Sequence, residues 1–69
     1  MGGLKSKPAV GDHVVLKRDL QNNGGEKFKK GTEMVILDGR PGFVLRTLVD
    51  PIMTIRGVSS RCFVLVTRR

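Results

Sequence analysis

Apolar residues in this chain come in short bursts between turn-forming residues, and nowhere keep a helical spacing long enough to predict a helix. His13 to Arg18 predicts a strand with Val14 and Leu16 on one face and Lys17 opposite. From Asp19 to Lys27 the chain is polar around Asn22-Asn23-Gly24-Gly25, residue types that tolerate positive φ. This predicts a protruding loop, pinned back by Phe28. Lys29-Lys30-Gly31-Thr32 is a second turn, and Glu33 to Leu37 a second strand. Its unbroken run Met34-Val35-Ile36-Leu37 predicts cover on both faces. Asp38 to Gly42 is a turn cluster, Phe43 to Val49 a third strand, Asp50-Pro51 a turn and Ile52 to Arg56 a fourth. After Gly57-Val58-Ser59-Ser60 the last strand is expected over Cys62 to Thr67.

Five short strands with turns every few residues predict an all-β fold, a small five-stranded barrel. The expected core is Val14, Leu16, Phe28, Met34, Ile36, Val44, Ile55, Val58 and Phe63. Residues 1–9 read as a flexible basic tail and residues 10–69 as the barrel.

The order of elements resembles an SH3-like barrel. A long polar loop follows the first strand and returns through Phe28-Lys29-Lys30-Gly31, which looks like the end of the long loop in SH3 domains. In that register Met34 and Ile36 point inward while Val35 and Leu37 point outward. Val58-Ser59-Ser60-Arg61-Cys62-Phe63 is similar to the short helical turn and final strand of that family. The opening Asp12 to Leu20, followed by Gly31-Thr32, also resembles the start of short bacterial SH3-like proteins, which implies fold and size but no activity. Lys30 to Val44 resembles the KOW motif of ribosomal and transcription proteins, another SH3-like barrel. It lacks that motif's second Gly pair and longer basic loop, so the KOW mode of nucleic-acid contact is not implied.

Composition narrows the function. The chain has 69 residues, enough for one domain with a small core. Cys62 is its one cysteine, which excludes an internal disulfide and fits a reducing compartment, so a cytoplasmic location is expected. His13 and Cys62 are the only soft metal ligands, too few for zinc, and no cofactor is expected. No apolar run approaches a membrane span, and none near Met1 has the form of a secretory signal. Met1-Gly2-Gly3-Leu4-Lys5-Ser6 satisfies the N-myristoylation pattern, but a membrane is not the expected partner.

Thirteen basic residues against six acidic ones give a net charge of +7, and no acid follows Asp50. Such a balance favours an anionic partner, nucleic acid or an anionic protein. The candidate nucleic-acid-binding set is Lys17, Lys27, Lys29, Lys30, Arg40, Arg46 and Arg56, with Arg18 beside it. Without Trp or Tyr the chain cannot pave a groove for a proline-rich peptide, nor build a methyl-lysine cage. No enzyme is predicted. His13 reads as a strand-end side chain, Cys62 as a small buried hydrophobe, and the acids announce no carboxylate pair. Asn22 to Gly25 lacks the Lys-Ser/Thr and helix of a phosphate loop. The competing expectation is a protein-interaction or homo-oligomerising module, in which Val15, Val35 and Leu37 form an outward aliphatic patch.

Overall fold

A computed structural model describes residues 8–39 and 42–66, and over these the chain is all-β. β1 (His13–Leu16), β4 (Glu33–Asp38), β5 (Phe43–Thr47), β6 (Thr54–Val58) and β7 (Phe63–Leu65) form one antiparallel sheet in the order β6-β5-β4-β1-β7. The remaining two strands, β2 (Leu20–Gln21) and β3 (Lys27–Phe28), pair with each other as a separate ribbon. A single 3-10 turn at Ser60–Cys62 precedes β7, and the Ser59 hydroxyl accepts from the Arg61 amide at its start.

Alternation along the strands builds the core. Val14 and Leu16 of β1, Met34 and Ile36 of β4, Leu45 of β5 and Ile55 of β6 are buried with Phe28, Phe43, Val58 and Phe63. The rings of Phe43 and Phe63 meet edge to face, 5.5 Å apart at an interplanar angle of 87°. β4 and β1 lie between β5 and β7 in the sheet, so this contact requires the sheet to curl over its own inner face. Among the described residues the ladder shows no pairing that closes the curl into a barrel.

Three expectations change. Phe43 and Leu45 are buried and Val44 is only half-buried, so the core face of β5 is one residue out of step with the expected Val44. The cause lies in the ladder: Leu45 stands opposite the buried Ile36 on β4 and Ile55 on β6, and Phe43 alternates with it. Second, β5 stops at Thr47 and β6 starts at Thr54, leaving Val49 (71% exposed) and Ile52 (50% exposed) in the connecting turn. Thr47 closes that turn. Its amide donates to Met53 O at 2.9 Å, while its hydroxyl donates to Pro51 O at 3.1 Å and accepts from the Met53 amide at 2.9 Å. Third, the last strand is shorter than expected. Cys62 belongs to the 3-10 turn and Thr67 lies outside the described residues.

The Asp19–Lys27 loop is the ribbon. Asn22 organises it: Oδ1 accepts from the Gly24 and Glu26 amides at 3.0 and 2.9 Å, and Nδ2 donates to Glu26 Oε1 at 2.7 Å. Nδ2 also donates to Thr54 O at 3.1 Å, tying the ribbon to the edge of the sheet. Gly25 turns the chain back at φ +87°, a backbone region that favours glycine. Phe28 then enters the core as expected.

Candidate functional site

The described basic residues fall into two groups. The first gathers where the ribbon meets the sheet. Leu16 N donates to Thr32 O at 3.0 Å and Gly31 N to Leu16 O at 2.9 Å, so Lys17 and Lys30 flank one pair of hydrogen bonds. Gly31 makes this turn at φ +91°, and Thr32 N donates back to Lys29 O at 3.0 Å. Lys29 and Lys27 lie just upstream on the same passage, and Lys17, Arg18, Lys27, Lys29 and Lys30 are all exposed. Lys17 N also donates to Cys62 O at 2.7 Å, which brings the exposed Arg61 next to the junction. Asp19 is the nearby acid. Its Oδ1 accepts from the Lys30 amide at 2.7 Å, holding the turn that carries Lys29 and Lys30.

The second group lies on the outward face of the sheet. Arg46 is in the middle of β5, opposite Val35 on β4 and Thr54 on β6, and Arg56 follows on β6. Arg46 is half-buried, and its Nε is fully buried without a hydrogen-bond partner. None of the described basic residues of these two groups joins an ion pair with another described residue. Arg40 lies outside the described residues, as do Lys5 and Lys7 of the tail, the N-terminal Gly2 pattern, Arg68 and Arg69.

The same outward face carries the aliphatic set. Val15 is half-buried opposite Val64 and Glu33, and Val35 is half-buried opposite His13 and Arg46. Leu37 is 43% exposed and Val64 47%. The run Met34 to Leu37 is therefore covered on its inner face only, against the expectation of cover on both. Val44 and Val64 complete this face and were not expected on it. Val44 follows from the register of β5, and Val64 alternates with the buried Phe63.

The residues weighed for chemistry are dispersed. His13 opens β1 half-buried, and Cys62 is half-buried against the core as a free thiol. Among the described residues no three His, Cys, Asp or Glu side chains come together as a metal site. No helix of the described residues is long and apolar enough to cross a membrane.

Comparison of the chain with protein-family models, with curated proteins and with solved structures finds no match.

Proposed function

We propose that the chain is an SH3-like barrel serving as a non-enzymatic binding module, and that it holds nucleic acid through the phosphates. Four features support the barrel: the strand order β6-β5-β4-β1-β7, the curl that brings Phe43 to Phe63, the ribbon between β1 and β4, and the 3-10 turn before the last strand. A reducing cytoplasm suits the free thiol of Cys62.

The observation that carries the nucleic-acid reading is the junction itself. Lys17 and Lys30 stand on either side of one hydrogen-bonded pair, Lys27 and Lys29 lie on the passage leading to it, and all four are exposed without an ion pair. Ammonium groups of this kind neutralise phosphates and release counterions on binding. Phe28, Phe43 and Phe63 are all buried, so none of the phenylalanine rings is available to stack on a base. The contact then follows the sugar–phosphate backbone and carries little sequence preference.

The test is anisotropy of a labelled oligonucleotide near physiological salt. Combined Lys29→Glu and Lys30→Glu should weaken binding about tenfold or more, whereas removing Arg68 and Arg69 should cost less than about threefold. Equal losses from the two changes would reduce the site to diffuse attraction, and absence of binding to either DNA or RNA would reject it.

A further inference from the structure

We infer that the polymer held by this protein is single-stranded nucleic acid, and that one unpaired nucleotide enters a polar cleft between the ribbon and β6. The inference rests on the nucleic-acid reading and names the class of polymer. The cleft has a volume of about 230 Å³ and lies between Gln21, Asn23 and Gly24 of the ribbon and Thr54 and Arg56 of β6. The hydrogen bond from Asn22 Nδ2 to Thr54 O joins its two walls. Small-molecule pockets usually span about 300–1,000 Å³, so a cleft of this size suits one unit of a polymer better than a whole cofactor.

The groups left over in the cleft match those of a base. Asn22 is engaged within the ribbon, but the Asn23 side chain makes no hydrogen bond with another described residue. Gln21 uses only its Nε2, which donates to Gly25 O at 3.4 Å. Side-chain amides both donate and accept, as the edge of a base does. A duplex hides its Watson–Crick edges in pairing, whereas a single strand exposes them. Arg56 is exposed and forms no ion pair with another described residue. Its guanidinium offers a positive charge and a flat face on which a base stacks, the part that aromatic rings play elsewhere. Among the described residues no acid lines the cleft. Glu26, the acid of the ribbon tip, is held by Asn22 Nδ2 at 2.7 Å.

The cleft also leads to the lysines. Gln21 borders a second hollow, of about 320 Å³, which Lys27 and Lys29 line, and in the ladder Gln21 stands opposite Lys27. Asp19, the acid of this hollow, accepts from the Lys30 amide at 2.7 Å. A strand with one base in the cleft therefore runs its phosphates past Lys27 and Lys29 toward Lys17 and Lys30. Only that base is touched, so sequence preference stays slight. Charge alone favours the opposite polymer. A duplex packs its phosphates more densely and releases more counterions per contact, so a diffuse basic surface binds it more tightly than a single strand.

The test compares a labelled single strand of about 12 nucleotides and mixed sequence with the same strand annealed to its complement, by anisotropy near physiological salt. The wild type should bind the single strand about fivefold or more tightly than the duplex. Arg56→Lys keeps the charge and loses the flat guanidinium, so it should weaken single-strand binding about fivefold or more and leave the duplex within about twofold. Asn23→Ala should cost about threefold on the single strand alone. Both substitutions are at exposed positions, and circular dichroism checks their folding. Lys29→Glu with Lys30→Glu should weaken both forms, which separates the junction from the cleft. A duplex bound as tightly as the single strand overturns the inference and leaves the lysine junction standing. So does an Arg56→Lys protein that loses equally on both forms, or loses nothing on the single strand. Absence of binding to either form rejects the nucleic-acid reading and this inference with it.

Discussion

Asn22 does more for this fold than its place in a polar, glycine-rich loop suggests. Its side chain uses both ends, accepting from Gly24 and Glu26 and donating to Glu26 and Thr54. Replacing it with alanine should cost about 1–2 kcal/mol, since each net hydrogen bond contributes about 1 kcal/mol and the site is partly wet. Amide exchange should accelerate at Gly24 and Glu26 and in β6 near Thr54, while the exposed Asn23→Ala stays near wild type. Equal effects from the two substitutions would contradict this role. The sequence shows that a turn belongs here, because Asn and Gly tolerate its backbone. It does not show which asparagine is structural, because the deciding partner, Thr54, is 32 residues away. Arg46 is similar: its unpartnered Nε depends on neighbours on two other strands, Val35 and Thr54, which stand opposite it.

Among the elements, β1 was readable from the chain because Val14 and Leu16 share a face opposite Lys17, whereas the apolar run of β4 fits either face and its inward Met34 and Ile36 came from the resemblance to the SH3-like register. That register also put Val35 and Leu37 on the outward side, where Val35 is half-buried and Leu37 exposed. β5 was not readable in register. Phe43-Val44-Leu45 is apolar at every position, so the pattern fits either face, and only the pairing of Leu45 with Ile36 and Ile55 selects Phe43 and Leu45 for the core. The ends of β5 and β6 were missed for a related reason. Leu48, Val49, Ile52 and Met53 look like strand residues, and the turn is set instead by the Thr47 hydroxyl bonding across it. The register has a direct thermodynamic consequence. Leu45→Ala removes a fully buried side chain and should cost about 2–5 kcal/mol, enough to leave so small a domain largely unfolded. Val44→Ala, on the outward face, should cost less than about 1 kcal/mol. Urea titration of the two variants measures both, and a larger loss from Val44→Ala would restore the alternative register.

For the molecule as a whole, net charge of +7 makes attraction to any phosphate polymer at low salt a weak finding. Composition already predicted an anionic partner. It could not say which of the thirteen basic residues act together, because Lys17 and Lys30 are joined by a backbone pairing formed only on folding. The central claim is that a localised set of lysines, and not the charge of the chain at large, carries nucleic-acid binding. The slope of log K against log salt on duplex DNA tests it most directly, measured for the wild type and for the Lys29→Glu, Lys30→Glu variant. Four lysines neutralising four phosphates give a slope of about −3 to −4, and losing two of them should bring it to about −2. A wild-type slope near −1, or a slope unmoved by the two reversals but reduced by removing Arg68 and Arg69, would contradict the account.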